Sequence, residues 1–338
     1  MKILYSIQAT GNGHISRAME LVPYLQAFGK TDLFLSGANS SLHLDAPVAY
    51  RSKGLSLFYT CKGNLDYGKL FRSIDPWRIY QEARQLPVEK YDVVINDFEC
   101  ITSIACALKK VPSVHFGHQA SFLSDRVPRP ENKSRIGEWV LKNYAKAQRN
   151  IGLHFESYDD FILSPVIKQE ILNAAPEDHG HITVYLPAYC EPQLIDVFSK
   201  FTDYRFEIFI HQARRFRENG NITILPVDKN PFNNSLIHCH GIITGGGFET
   251  PAEALYLQKK LIVIPIKGQY EQQCNAAALK KLGVTITDTI IDNFTETFNN
   301  WISDEKKTTA FFPHSTQNIV DQLMFAAIES RDWEPLNS

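Results

Sequence analysis

An α/β fold of two doubly wound parallel sheets is what this sequence predicts, and three observations predict it. Strand-like and helix-like segments alternate along both halves of the chain, which implies repeated strand–helix–strand units. Tyr91–Asn96 is a nearly continuous apolar run, as in parallel strands covered on both faces. Glycine-bearing turns follow two of the strand segments, at Gly11-Asn12-Gly13 and at Gly245–Gly247. A chain of 338 residues favours two domains over one. They are expected at 1–160 and 161–315, with a closing segment at 316–338.

The elements follow in order. Lys2–Ile7 is a short apolar strand and Ala9–His14 the turn after it. Ile15–Phe28 has helical spacing in Ile15, Ala18, Met19, Val22 and Leu25, and Gly29 suits its C-cap. Asp32–Ser36 and Leu55–Thr60 have strand character, as does Tyr91–Asn96. A helix over Ile101–Lys109 and a strand at Ser113–Gly117 come next, and Ser121–Asn132, with Pro128 and Pro130, is irregular. Ser134–Arg149 reads as one basic amphipathic helix with Ile136, Trp139, Val140, Tyr144 and Ala147 on one side. Ser157–His181, with Pro165 and Pro176, is the expected connection. Strands follow at Ile182–Leu186, Arg205–Ile210, Ile222–Pro226, Gly241–Thr244, Leu261–Ile266 and Val284–Thr287, with helices between. A final helix, about Gln317–Ser330, is placed to cross back to the first domain.

Composition narrows the function. A formal net charge of -2 gives no electrostatic case for nucleic acid as a partner. Six scattered cysteines without a CxxC pair suit reduced thiols in a cytoplasm. The N-terminus reaches glycines before a signal-peptide core forms, and no apolar run approaches the roughly 20 residues of a spanning helix. The expected location is cytoplasmic, soluble or peripheral at the inner membrane face. Between Arg126 and Arg149 lie seven basic side chains and two acids, which fits an anionic membrane surface, a phosphorylated acceptor, or a solvated helix face.

Residues 244–275 are the most informative. A strand ends at Thr244, and Gly245, Gly246, Gly247 and Phe248 follow. A helix carrying Glu253 comes next, then the strand Leu261–Pro265, then Gln269, Glu271, Gln272, Gln273 and Asn275. Glycines between strand and helix let the backbone approach a ligand and aim free N–H groups at an anion, typically a phosphate. They also serve turn geometry alone. An acid one turn into the helix suits a ribose diol, or is merely solvated. Amides offer donors and acceptors to a polyol, or form a polar helix start. Consecutive connections of an open parallel sheet would bring both groups to its carboxyl edge, where ligands bind.

The N-terminal turn, Gly11-Asn12-Gly13-His14, lacks the GxGxxG spacing because residue 16 is Ser, which argues against a dinucleotide site. His14 near a helix start is expected to stay neutral and able to accept a proton, or simply to cap the helix. Arg17 stands one turn later. Asp97 and Glu99 follow Tyr91–Asn96 as a rival base, as acceptor-binding groups, or as helix caps. His118 and Gln119 follow the strand ending at Gly117 and belong to the same rim. His179-Gly180-His181 and His238-Cys239-His240 raise a metal, yet neither has a companion set at metal spacing, so none is expected.

Gly245–Gly247, Glu253, Pro265, Gln272-Gln273 and Asn275-Ala276, in that order, resemble the donor-binding signature of GT-B glycosyltransferases. The likeness is strongest to the group containing the UDP-N-acetylglucosamine transferase of peptidoglycan lipid-intermediate synthesis, and the UDP-glucuronosyltransferase-like enzymes share it. Gly11–Arg17 resembles the first glycine loop of the same enzymes, so the likeness spans nearly the whole chain. It implies two Rossmann-like domains facing a central cleft. It also implies that Glu253 holds the nucleotide ribose and that the backbone of Gly245–Phe248 meets the diphosphate. Gln272 and Gln273 would contact donor sugar hydroxyls, and His14 would lie between acceptor and diphosphate as base. Two positions depart from the plant-type pattern: Gly245 stands where a His is found, and Glu271 where an Asp is found.

The implied activity is inverting, metal-independent transfer of a hexose from a UDP-sugar, a co-substrate, to an acceptor hydroxyl. The acceptor is not legible in the sequence, and no cofactor is expected. A non-hydrolysing UDP-sugar 2-epimerase and a catalytically silent nucleotide-sugar binding protein are the alternatives.

Overall fold

The structure is a computed structural model that describes residues 1–37, 46–54, 60, 63–64, 68, 75–305 and 308–332. The expected strand at Leu55–Thr60 falls almost wholly outside them. The first half is built from β1 (Lys2–Gln8), α1 (Asn12–Phe28), β2 (Lys30–Ser36), β3 (Val48–Ser52), α2 (Pro76–Gln85), β4 (Val93–Asp97), α3 (Cys100–Lys109), β5 (Val114–Gly117), α4 (Arg135–Asn143), β6 (Arg149–Leu153) and β7 (Ile162–Leu163). After α5 (Gln169–Leu172) the second half contains β8 (His181–Tyr185), α6 (Glu191–Phe198), β9 (Arg205–Ile210), β10 (Arg217–Asn219), β11 (Ile222–Pro226), α7 (Lys229–His238), β12 (Gly241–Gly245), α8 (Glu249–Tyr256), β13 (Lys260–Ile264), α9 (Tyr270–Lys281), β14 (Thr285–Ile286) and α10 (Phe294–Ser303). The last described element is α11 (Thr316–Asp332).

Each half carries one sheet. The first has the order β3-β2-β1-β4-β5-β6-β7 and is parallel throughout. The second has the order β10-β11-β9-β8-β12-β13-β14, parallel except for the β10 edge. In both sheets the chain starts in the middle, winds to one side, then returns to wind the other way. The reversal falls between β1 and β4 in the first sheet and between β8 and β12 in the second. Connections leaving the carboxyl ends of such strand pairs diverge to opposite faces and leave a crevice. Gly11–Gly13 leaves β1, Asp97 ends β4, and Gly245–Gly247 ends β12.

The parallel strands are apolar because helices cover both faces of each sheet. Ile3, Tyr5, Ile7, Ile95 and Phe116 are fully buried in the first sheet. Val184, Ile208, Ile243 and Ile262 fill the second, capped by Phe298 and Trp301. Α11 packs back on α1, β4, β5 and β6 of the first half, where Ile319, Val320 and Leu323 are fully buried.

Three expectations are corrected. The helix expected over Ser134–Arg149 ends at Asn143, and β6 begins at Arg149. The backbone N–H groups of Gln148 and Arg149 donate to Ser113 O, drawing this stretch into the edge beside β5. In α4 the apolar set does not share a buried face: Leu141 is inside, while Ile136 is 78% and Trp139 65% exposed. The connection Ser157–His181 carries β7 and α5, so the first sheet gains a strand periodicity missed; two residues are too few to show a period. Cys190 is disulfide-bonded, which departs from the reduced thiols expected, whereas Cys100, Cys106, Cys239 and Cys274 are free. Among the described residues no helix is long and apolar enough to cross a membrane.

Candidate active site

The two crevices face each other, and α1 and α8 touch across them. Both helices follow glycine turns, at Gly11 and at Gly246–Gly247, and neither has a side chain capping its first N–H groups. The same holds for α9, which starts after Gln269. Of the remaining helices, α2, α3, α4 and α7 are capped by Asp75, Glu99, Ser134 and Asp228, while α5, α6 and α10 have no side-chain cap. Glu99 is thus a cap, accepting from Ile101 N at 2.9 Å and Thr102 N at 2.6 Å. Aligned peptide dipoles at the starts of α1 and α8 make the crevice favourable for an anion.

Asp97 sits at the bottom of the first crevice, opposite Ile7 in register, with no solvent exposure. A buried carboxylate needs charged or hydrogen-bonding partners, and three are supplied. Arg17 Nη2 donates to its Oδ1 at 2.7 Å and to Oδ2 at 2.9 Å. His14 Nδ1 lies 2.9 Å from Oδ1, and Tyr5 donates its hydroxyl to Oδ2 at 3.2 Å. Burial raises the carboxyl's proton affinity, but the charges of Arg17 and His14 outweigh it and hold Asp97 well below the usual carboxylate range. An ionised Asp97 requires the proton on His14 Nδ1, which leaves Nε2 as the free lone pair.

The helix-start position was expected to keep His14 easy to deprotonate, and this is corrected. Burial does oppose its protonation, but the Asp97 charge and hydrogen bond prevail and raise its pKa above the ordinary 6.5. His14 Nε2 faces Gln119, whose Nε2 is 3.4 Å away. Gln119 Nε2 also donates to Glu271 Oε1 at 3.0 Å, so this amide bridges the two halves. Among the described residues Gln119 Oε1 is a buried acceptor without a partner, as is Gln269 Oε1. Orphaned buried acceptors of this kind mark places where a ligand donor fits.

His118 is buried; its ring stacks on Phe248 at 3.9 Å and its Nε2 lies 2.6 Å from Asn275 Oδ1. Asn275 Nδ2 donates to Gly246 O at 2.9 Å. Gln272 Oε1 accepts from Gly246 N at 3.0 Å and Ile266 N at 2.9 Å. Asn275 and half of the Gln272 amide therefore hold the glycine turn in shape, and Gln273 is half-buried beside them. The glycines divide by function. A Cβ on Gly246 would lie 2.8 Å from Gln272 O and 3.2 Å from Pro265, so close packing demands glycine. A Cβ on Gly11 or Gly247 would meet nothing within 4 Å, and one on Gly245 nothing nearer than 3.7 Å. Among the described residues Gly11 and Gly247 therefore face open space, and Gly245 has room for a side-chain carbon at ordinary contact distance.

Across the crevice, Arg17 Nη1 also pairs with Glu249 Oε1, and Asn12 Nδ2 donates to Tyr185 OH at 3.4 Å. A Cβ on Gly13 would overlap the Glu249 carboxylate. One turn deeper on α8, Glu253 is 2% exposed, and its Oε2 pairs with Lys168 Nζ at 3.1 Å. Burial raises its pKa to about 6 against the pull of Lys168. Sequence reading missed Arg17–Glu249 and Lys168–Glu253, because both join residues far apart in the chain. The structure also gathers Glu177, His179 and His238, whose ligating atoms lie within 4.8 Å of one another. The two imidazoles are stacked with planes 5° apart, so their in-plane lone pairs do not converge on one ion.

With this geometry in place, the family model for glycosyl transferase family 1 matches residues 1–302. The chain belongs to that family, and its two facing sheets form the GT-B fold of a glycosyltransferase. It is similar over 98% of its length to the glycosyltransferase SnogD from Streptomyces nogalater, covering 94% of that chain at 17% identity with a TM-score of 0.54. It is also similar to UGT89C1 from Arabidopsis thaliana, solved in complex with UDP and with UDP-L-rhamnose. Each of those matches has 13% identity, a TM-score of 0.60, and coverage of 97% of this chain and 94% of that one. No curated protein matches the sequence.

The glycine division gives a paired prediction. Gly246→Ala is expected to lose roughly 1–3 kcal/mol of stability, the usual cost of overpacking, while Gly247→Ala leaves the denaturation midpoint in place. Chemical denaturation of both variants tests this; equal stabilities contradict it.

Proposed function

We propose that this protein transfers a hexose from a UDP-sugar to an acceptor hydroxyl, with inversion and without a metal. The observation that carries the reading is the hydrogen-bonded His14–Asp97 pair facing, in one crevice, the uncapped starts of α1 and α8. The UDP and UDP-L-rhamnose complexes of the structurally similar UGT89C1 support a UDP-sugar as donor.

The donor lies along the second half. Its diphosphate meets the backbone of Gly245, Gly246, Gly247 and Phe248 and the start of α8, where open space borders Gly247. Gly11, Asn12 and Gly13 bring the start of α1 to the same group, and Arg17 adds charge. Glu253 takes the ribose. The remaining Gln272 N–H groups, Gln273, Glu271 and the orphaned Gln269 Oε1 meet the sugar hydroxyls. His118 and Asn275 hold the wall of the pocket.

In the reaction, the acceptor oxygen forms a bond to the anomeric carbon from the face opposite the diphosphate. The bond between that carbon and the diphosphate oxygen breaks, and UDP leaves with the electron pair. The acceptor proton passes to His14 Nε2, and Asp97 stabilises the imidazolium that results. Charge on the departing diphosphate is met by helix N-termini and loop amides already in position. Asp97 acts through His14, because its own oxygens are occupied by Arg17, Tyr5 and His14.

Exposed Ile136 and Trp139, with exposed Arg126, Lys133 and Arg135 around them, support peripheral contact with an anionic membrane. Arg129 does not join that surface; it is turned inward on Glu138 at 2.6 Å. The acceptor would then reach the crevice from the lipid side.

Three measurements test these readings. His14→Ala is expected to lower turnover about 100-fold or more. Because only neutral His14 accepts the proton and its pKa is raised, wild-type kcat/KM rises with pH along a limb centred above 6.5. Near-normal turnover of a folded variant, or product formed from UDP-sugar without an acceptor by change at C2, contradicts transfer with His14 as base. Wild-type protein is expected to sediment with anionic vesicles in a salt-sensitive manner and Trp139→Glu to lose that binding; no sedimentation, or no effect of Trp139→Glu, removes the membrane contact.

A further inference from the structure

Two backbone carbonyls, Leu153 O of β6 and Gly246 O of the second glycine turn, are joined by a buried chain of two side chains, His118 and Asn275. His118 Nδ1 lies 3.0 Å from Leu153 O, and His118 Nε2 lies 2.6 Å from Asn275 Oδ1. Asn275 Nδ2 donates to Gly246 O at 2.9 Å. Both ends of this chain are carbonyl oxygens, which only accept. A neutral imidazole brings one N–H, and an amide has donors at one end alone. If the ring donates to Leu153 O, its bare Nε2 faces Asn275 Oδ1. If it donates to Asn275 instead, its bare Nδ1 faces Leu153 O. Turning the amide over pairs its nitrogen with Nε2 but sets Oδ1 against Gly246 O. Each arrangement leaves two buried acceptors in contact, at the cost of an unmade hydrogen bond. One added proton on the ring satisfies all three contacts.

The surroundings decide when that proton is present. The ring stacks on Phe248 with planes 9° apart, and an aromatic face attracts a cation. The ionisable groups facing it are Glu249 from α8, Glu271 from α9 and His154 just after β6. The Phe122 ring meets it edge-on and carries Arg129 above it. Burial outweighs the two acids and holds the pKa of His118 below the ordinary 6.5, so the ring of the empty protein is neutral near pH 7. An anion seated at Gly245–Phe248 reverses this balance, because Phe248 and Gly246 of that turn are the groups to which His118 is tied. We infer that His118 is a positioning residue that takes up a proton when the diphosphate of the donor occupies the turn, so that donor binding and protonation are one event. The proton comes from the buffer and forms the Nε2–H bond toward Asn275 Oδ1; it returns when UDP departs, and no other bond changes. The imidazolium then locks Asn275 onto Gly246 O and sets a positive charge behind the leaving group. The inference rests on the reading that the diphosphate meets Gly245–Phe248.

The test is nitrogen-15 NMR of protein labelled at histidine rings and backbone amides, titrated with acid and base without ligand and with saturating UDP. The His118 signals are assigned by their loss in His118→Phe, which keeps a ring against Phe248. If that variant does not fold, coupling of the ring to its own backbone assigns them. Without ligand the ring is expected to titrate below 6.5. With UDP the titration is expected to move upward, until both ring nitrogens carry protons in most molecules near pH 7. A ring that stays neutral while the Gly246 and Gly247 amide signals shift with UDP overturns the inference and leaves the diphosphate at the turn. A ring already protonated without ligand near pH 7 overturns it as well. If UDP leaves the Gly246 and Gly247 signals in place, the diphosphate lies elsewhere and both readings fall.

Discussion

A single buried carboxylate organises this molecule. Asp97 ends β4 at the point where the first sheet reverses its winding, and it has no access to water. An ion there is tolerated only if charged groups surround it, so Arg17 and His14 on α1 are drawn to it. That demand fixes the rotation of α1 and the direction of the His14 ring. It also sets which imidazole nitrogen is free. Arg17 then continues across the crevice to Glu249 on α8. His14, Asp97, Arg17 and Glu249 are one chain of charge that also joins the halves, and its origin is the burial of Asp97.

The halves meet through polar groups placed around this chain and through an apolar seam in which Phe122, Val127 and Leu141 pack with Tyr270 and Cys274. Gln119 reaches Glu271, His118 reaches Asn275, and Tyr270 donates its hydroxyl to Glu138 Oε1 at 2.7 Å. Gly63 accepts from Lys267 N at 2.9 Å and donates to Ala188 O at 2.9 Å. The Phe248 ring against His118 and Phe155 supplies an apolar contact at the centre.

Much of this was legible in the sequence, for reasons of local physics. Buried parallel strands are apolar throughout, so β1, β4, β9, β12 and β13 stood out. Glycine turns after strands pointed to Gly11–Gly13 and Gly245–Gly247, and the structure brings both to one crevice. Their distinct duties were not legible, because Gly246 is required by Gln272 and Gly247 by nothing among the described residues. The helix over Ser134–Arg149 was overextended because a basic amphipathic pattern says nothing of Ser113, whose carbonyl turns the chain into β6. The direction of the His14 shift was missed for a like reason. The helix start is local and visible, but Asp97, which overrides it, lies 83 residues away. Lys168 beside Glu253 escaped notice because only the fold brings the connection between the halves to α8.

The central claim is that Asp97 serves the chemistry through His14 and does not hold the donor. The most direct measurement compares Asp97→Asn with wild type in two respects, turnover with a UDP-sugar and an acceptor, and calorimetric affinity for UDP. Turnover is predicted to fall by about 100-fold to 10,000-fold, as when a base loses its orienting carboxylate, with UDP affinity within about threefold of wild type. A folded Asp97→Asn protein that turns over normally, or one that loses UDP binding in step with activity, would contradict it.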